Sequence, residues 1–340
     1  MANKLRLASL PTALEPARQL GAAIGAPALL TKRDDIAGPA YGGNKVRKLE
    51  YLLGDAVERG CDSVVTFGAA GSNHALATAV YAKQAGLDCY AVLTDQVQTP
   101  WVANTLRWHA RLGTHLSHAP GYLETQAAAE RLRAMHPSGP HRLYEVAWGG
   151  SSALGCLGFV DAAAELSTQL AAAGMGGNLR VYLPCGTMGS VAGLLVGLHM
   201  ARVKATVVSV KVVPQNAVDA TAVLKLATAV EALLPARLAG RTGDREAQLE
   251  FRTEFAGDGY ALPTAESLEA VAMARNLEGF KLDTTYSGKA LACLIADARA
   301  GRLAGCTPIL WQTWNSRPYP TGLKQADLTR MPAEFQKFFL

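Results

Sequence analysis

"DSVVTFGAAGSNHALATAVYAKQAGLDCYAVL", residues 62–93, is the stretch on which the fold turns. "DSVVTF" is a short β-branched run that stops at Gly68. "SNHALATAVYAKQAG" then has helical character with Ser72 or Asn73 at its cap, and "DCYAVL" reads as a second strand. Strand, helix and strand in that order form a βαβ unit, whose strands run parallel.

The same grammar returns further on. "LRVYLPCGTMGSVAGLLVGLHMAR" (179–202) leads a strand through Leu183 into a glycine-rich turn and an apolar helix, and "TVVSVKVV" (206–213) reads as another buried strand. Upstream, "NKVRKLEYLLGDAVER" (44–59) places Val46, Leu49, Leu53 and Val57 at helical spacing before Gly60 stops it. The Ala-rich "QAAAERLRAM" (126–135) and "DAAAELSTQLAAAG" (161–174) are helices by the same criterion. Alternating strands and helices predict an α/β fold with mostly parallel sheets. No linker marks a boundary, so two lobes that exchange chain more than once are expected.

A chain of 340 residues, 49% hydrophobic and 18% charged, can bury a sizeable core as a soluble globular protein. Its net charge of +5 arises from 33 basic and 28 acidic residues spread along the sequence. No long basic block is present to track a nucleic acid, and a mild preference for small anions is all the charge supports. The cysteines, Cys61, Cys89, Cys156, Cys185, Cys293 and Cys306, show no CxxC pair and no zinc spacing with histidine, and read as reduced thiols of a cytoplasmic protein. "MANKLRLASLPTALEPARQLG" has no continuous apolar core before Pro11 and Glu15, which argues against a secretory signal. Nothing approaches the roughly 20 apolar residues of a membrane span.

Four stretches carry chemistry. "PCGTMGSVAGL" (184–194) joins strand to helix through Gly186, Thr187, Gly189 and Ser190, and can turn backbone N–H groups and hydroxyls toward an anion such as phosphate. It is neither a Walker loop nor GxGxxG, and an ordinary strand-to-helix turn fits it equally. "GAAGSNHA" (68–75) sets Ser72, Asn73 and His74 at a helix start, suited to a carboxylate or simply to capping. "YGGNKVRKLEY" (41–51) places Lys45, Arg47 and Lys48 at a helix N-terminus, where the dipole repels cations. They are either a solvated face or include one amine whose pKa is lowered by dipole and burial into a nucleophile; Gly42 and Gly43 would let a flat ring approach the backbone. "DTTYSGKAL" (283–291) and "GDGY" (257–260) place Tyr286, Ser287 and Tyr260 in turns, where tyrosines usually pack.

In this order the pieces resemble the 1-aminocyclopropane-1-carboxylate deaminase and D-cysteine desulfhydrase family of pyridoxal-phosphate enzymes, which share the tryptophan synthase β-subunit fold. The likeness runs from "LPTALEP" (10–16) and "LTKRDDIAGPAYGGNKVRKLEYLL" (30–53) through "GAAGSNHALATA" (68–79) and "VAWGGSSALGCLGFVDAAAEL" (146–166) to "YSGKAL" (286–291). It implies a two-domain fold-type II α/β enzyme, each domain a mostly parallel sheet flanked by helices, with pyridoxal 5'-phosphate in the cleft between them. Residues 1–56 and 160–340 would form the large cofactor-binding domain and 57–159 the small one.

The resemblance assigns the Schiff-base lysine to Lys45 and the phosphate loop to Gly186, Thr187, Met188, Gly189 and Ser190. Met188 replaces the usual glycine there. Asn73 falls beside the cofactor ring and its 3-hydroxyl, Ser72 and neighbouring amides meet the substrate with His74, and Tyr260 and Tyr286 are the active-site tyrosines. Arg47 and Lys48 are left as supporting or solvent-facing charges. Ser287 takes the place facing the pyridine nitrogen, a glutamate in the deaminase, which points to β-elimination. Two departures stand out: Gly71 replaces a glutamine common before Ser-Asn-His, and "WQTWNSRPYP" (311–320) replaces an "HTGG"-like segment, bringing Trp314 to the substrate wall together with Asn315 and Arg317.

The implied reaction is α,β-elimination on a small amino acid, D-cysteine foremost, giving a 2-oxo acid and ammonia in a cytoplasmic homodimer. The alternatives are 1-aminocyclopropane-1-carboxylate deamination, β-replacement, a non-catalytic ligand-binding homologue, and an unrelated Cys185 nucleophile with His199 as base.

Overall fold

The structure, a computed structural model, describes residues 3–99, 101–136, 142–235 and 248–339. The chain opens with β1 (Leu14–Pro16), α1 (Arg18–Ala23) and β2 (Leu30–Lys32). There follow α2 (Lys45–Glu58), β3 (Ser63–Ala69), α3 (Asn73–Gln84), β4 (Asp88–Thr94), α4 (Val102–Leu112), β5 (His115–His118), α5 (Tyr122–Met135) and β6 (Leu143–Val146). The second half runs α6 (Ala153–Ala172), β7 (Asn178–Cys185), α7 (Gly189–Met200), β8 (Ala205–Lys211), α8 (Ala220–Glu231) and β9 (Leu249–Arg252), then α9 (Ala265–Glu278), α10 (Ser287–Arg299) and β10 (Cys306–Trp311). Two compact units result, one of Ala8–Lys48 and Ser151–Ser316, the other of Met1–Leu7, Leu49–Gly150 and Arg317–Leu340.

The larger unit holds a sheet of order β1-β2-β10-β7-β8-β9. Only β1 is antiparallel. Side chains alternate between its faces with period 2. Leu183, Ile309 and Trp311 pack with Phe159, Leu166, Leu194 and Val223 of α6, α7 and α8. On the other face Tyr182, Val208 and Leu310 pack with Leu20, Ala274 and Leu291 of α1, α9 and α10. Coverage on both sides is why the strands read as continuous apolar runs. Each fully buried leucine contributes about 1.5–3 kcal/mol.

Strand order reverses at β7: β8 and β9 lie on one side, β10 and β2 on the other. In open α/β sheets ligands settle outside the carboxyl ends of strands at such a point. The turn after Cys185 and the segment after Trp311 both lie there.

The smaller unit is a four-stranded parallel sheet of order β5-β4-β3-β6. The βαβ unit read from residues 62–93 is its centre, with Ser63 paired to Asp88 and Ala69 to Thr94. The unit boundaries differ from those expected from the resemblance. Phe159, on the N-terminal half of α6, is completely buried in the larger unit's core, and Phe335 packs with Leu93 and Leu106 of the smaller unit; residues 1–7, 49–56, 151–159 and 317–340 all fall on the opposite sides from the expected division.

Candidate active site

Lys45 is the first residue of α2. Backbone hydrogen bonds fix the turn before it: Gly43 N–H donates to Asp34 O at 2.8 Å and Asn44 N–H to Thr313 O at 3.1 Å. Lys45 is half-buried, and its pKa is held well below the ordinary lysine value, first by burial of the amine and then by the Lys48 cation. Among the described residues its electrostatic neighbours are Lys48 and Cys185, with no carboxylate. The amine therefore favours its neutral, nucleophilic form.

Arg47 and Lys48 are not solvent-facing; each is only 1% exposed. Arg47 Nε and Nη2 donate to the two Asp34 oxygens at 2.9 and 2.8 Å, and its other bonds reach Glu165 and Thr12. Trp311 Nε1 also donates to Asp34, at 2.8 Å, and Lys32 pairs with Glu165. Burial alone would raise the Glu165 pKa, but Arg47 and Lys32 outweigh it and hold it at about 2. This buried ionic network lies under the first turn of α2. The sequence hid it because partners 13 and 118 residues away make a solvated-looking cation a core residue.

Lys48 Nζ donates to Ser151 Oγ at 3.1 Å, and Ser151 Oγ lies 2.7 Å from Thr187 Oγ1. Gly189 N–H donates to Ser151 Oγ at 3.2 Å, and Asn44 Nδ2 donates to Ser190 Oγ at 2.9 Å. A Cβ on Gly189 would fall 2.5 Å from Ser151 Oγ and 2.7 Å from Lys48 Nζ, so this close approach requires glycine. Met188, in the glycine position, adopts φ 65° as the residue before α7, so the turn keeps its left-handed form despite the side chain. Hydroxyls, an ammonium and the N-terminus of α7 make a donor set that fits a phosphate dianion. Burial lowers the Lys48 pKa to about 8, leaving it largely charged at neutral pH. Asn44 and Ser151 were not singled out from the sequence, although both lie in stretches that carry the resemblance, and Lys48 was read only as a supporting or solvent-facing charge.

Tyr260 and Tyr286 come together, their hydroxyl oxygens 2.6 Å apart. A Cβ on Gly186 would stand 3.5 Å from Tyr286 Cε1, which puts the tyrosine beside the turn after β7. Burial raises both phenols, Tyr260 to about 12 and Tyr286 well above its ordinary value, so both stay protonated. Ser287 is completely buried, and its Oγ donates to Asp283 Oδ1 at 2.6 Å while accepting the Asp283 N–H at 3.0 Å. Its proton is thus committed to a carboxylate that sequence reasoning passed over. Trp314 is buried.

In the smaller unit Ser72 caps α3, accepting the Ala75 N–H at 3.2 Å, which leaves the hydroxyl proton available to donate. Asn73 is half-buried at the first helical position. His74 is buried, its Nε2 3.0 Å from Thr66 Oγ1 on β3, so its ring supports the turn from beneath. At Gly71 the missing side chain has a physical counterpart: Gln96 Oε1 accepts the Gly71 N–H at 2.9 Å, and a Cβ there would lie 2.9 Å from Gln96 Nε2. The carboxamide of residue 96 fills the space a side chain at 71 would need.

The cysteine-nucleophile alternative does not survive. Cys185 is 1% exposed and burial raises its pKa, keeping it a thiol. His199 is in the last turn of α7, about 15 Å along the helix from Gly189.

An amine poised for nucleophilic attack, adjoining a phosphate-shaped donor set at the sheet's reversal point, is what a pyridoxal-phosphate enzyme requires, and the chain belongs to the pyridoxal-phosphate dependent enzyme family, whose pattern matches residues 5–310. It is 33% identical over 312 residues to the D-cysteine desulfhydrase of Salmonella choleraesuis (strain SC-B67), covering 91% of this chain and 92% of that one. The Salmonella typhi D-cysteine desulfhydrase gives the same identity and coverage. Among solved structures, an ACC deaminase homologue superimposes with a TM-score of 0.80 at 29% identity, covering 92% of this chain and 91% of its own. Threonine deaminase isoform 2 from Solanum lycopersicum, at 15% identity and TM-score 0.63, shares the fold. The fold is that of the fold-type II enzymes, as the resemblance implied, and the protein is pyridoxal-phosphate dependent.

Proposed function

We propose that the protein is a lyase that eliminates the β-substituent of a small amino acid, with D-cysteine the leading substrate. D-cysteine and water would give pyruvate, hydrogen sulfide and ammonia. The observation that carries the reading is the half-buried Lys45, its amine pKa lowered, next to the Lys48–Ser151–Gly189 donor set.

Lys45 would hold the cofactor covalently, and Lys48, Ser151, Thr187, Gly189 and Ser190 its phosphate. The cofactor, when bound, supplies the electron-withdrawing ring that makes the substrate's α-proton acidic. Lys45 Nζ, its pKa lowered by burial and by the Lys48 cation, is the base for that proton. Ser72, its hydroxyl proton free, and Asn73 bind the substrate carboxylate and the ring oxygen. Tyr286, protonated and held by Tyr260, returns a proton to the departing group. Residue 287 has no charge of its own, which favours elimination over deamination of 1-aminocyclopropane-1-carboxylate, since a leaving group that departs with its electrons demands less of the ring.

No helix among the described residues is long and apolar enough to cross a membrane. The six free cysteines accord with a cytoplasmic enzyme, which we take to be a homodimer. Incubation with D-cysteine is expected to release pyruvate and sulfide in equal amounts, with L-cysteine and 1-aminocyclopropane-1-carboxylate far slower. Faster formation of 2-oxobutyrate from the cyclopropane would move the assignment to the deaminase.

Lys48→Met should weaken pyridoxal-phosphate binding to the apoprotein by about 10–100-fold, the loss of one charge-assisted hydrogen bond. It should also let the Lys45 pKa rise, because the Lys48 cation helps depress it. Titration of apoprotein, followed by cofactor absorbance at several pH values, reads both effects.

A further inference from the structure

Residues 312–316, within the 311–320 segment, are bonded along their length to the chain from Lys32 to Asn44 that leads into Lys45. Gln312 N–H donates to Lys32 O at 3.0 Å, Thr313 O accepts the Asn44 N–H at 3.1 Å, and Ser316 N–H donates to Asp35 O at 2.9 Å. One side chain joins these backbone bonds. Asn315, 4% exposed, accepts the Gly42 N–H through Oδ1 at 2.7 Å.

The turn leaves no room for a side chain at either glycine. A Cβ on Gly42 would sit 1.9 Å from Asp35 O and 2.9 Å from Asn315 Oδ1, so glycine is obligatory where the backbone meets both. Gly43 has φ +93°, and a Cβ on it would fall 2.9 Å from Thr313 O. Two successive glycines are the most freely rotating dipeptide a chain can have. A lysine that follows such a pair needs an external restraint, and the carboxamide of Asn315 is a side-chain restraint on the first of them.

We propose that Asn315 is a positioning residue for Lys45: its carboxamide pins the Gly42–Gly43 turn, fixing where the Lys45 amine stands at the start of α2. A glycine at 315 has no side chain with which to make this bond, so the extra group gives the Lys45 turn of this protein a restraint that a Gly-Gly segment would lack. The inference rests on the reading of Lys45 as the cofactor lysine. The titratable groups facing that amine are Lys48 from α2 and Cys185 from the end of β7, and neither is altered by changing Asn315.

The test measures the rate at which apoprotein captures added pyridoxal phosphate, followed by absorbance from pH 6 to pH 10 and fixed by borohydride for peptide mapping. The quantity of interest is the high-pH plateau, where the amine is fully neutral and only its placement matters. Asn315→Leu, similar in size without the acceptor, and Asn315→Ala should lower the plateau about 10–100-fold, the cost of misplacing a reacting group by about an ångström. Asn315→Asp keeps an acceptor oxygen at the same reach and should hold the plateau within about 3-fold, although its charge shifts the midpoint of the profile. A plateau unchanged in Leu and Ala, or equally reduced in Asp, overturns the proposal. Borohydride adducts on a lysine other than Lys45 in the unaltered protein would overturn instead the reading on which it rests.

Discussion

Lys45→Ala is expected to lower turnover at least about 10³-fold, since it removes both the covalent anchor and the base at the α-carbon; positioned proton transfer alone is worth 10²–10⁴-fold. Folding should be little affected. Among the described residues no carboxylate is paired with Lys45, so its removal strands no partner there. The unaltered holoprotein should be yellow, and borohydride should bleach it and leave the adduct on Lys45. The choice of lysine is a sharp test, because Lys48 and Lys289 are also buried with lowered pKa values. An adduct on either would defeat the assignment. The pH profile has a definite sign as well. Burial and Lys48 place the Lys45 pKa well below 10.5, so the acidic limb of the activity should lie well below the range of an exposed lysine and fall away as the amine takes up its proton.

Arg47→Met should cost about 3–5 kcal/mol of stability, read as a fall in the urea midpoint, because it leaves Asp34 and Glu165 without their shared guanidinium. Asp34 would keep Thr12 and Trp311 as donors, but neither carries charge. Acid sensitivity should change in a direction fixed by Glu165. Its pKa of about 2 lies below the ordinary 4.5, so its contribution is complete above pH 4.5 and is lost as pH falls toward 2. Without Arg47 that pKa rises, and acid unfolding should begin at higher pH. A variant with an unchanged acid midpoint would mean that Lys32 alone sustains Glu165.

The parallel sheets were legible because strands covered on both faces leave uninterrupted β-branched runs, as in "DSVVTF" and "TVVSVKVV", with glycine turns between. The strand-to-helix turn within residues 184–194 was legible from its glycines, and the left-handed Met188 shows that backbone shape outlasted the side-chain change. What could not be read was partnership across distance. Lys48 and Arg47 look alike in sequence, yet one serves the donor set and the other an ionic network, and only Ser151 and Asp34 make the difference. Gln96 filling the space beside Gly71 escaped for the same reason: a space left in one segment is filled from another. The bond from Ser287 to Asp283 was visible only in three dimensions.

The segmentation of the chain bears on how such a protein can be altered or inherited. The smaller unit is assembled from three separate stretches, Met1–Leu7, Leu49–Gly150 and Arg317–Leu340, and the larger from two. α2 begins in one unit and continues in the other, so Lys45 and Leu49 share a helix but not a unit. A single crossover between homologous genes therefore cannot exchange either unit intact. Any chimera that aims to trade the central stretch must transplant it together with the tail bearing Phe335 and Phe338, or leave a hollow in the recipient's core.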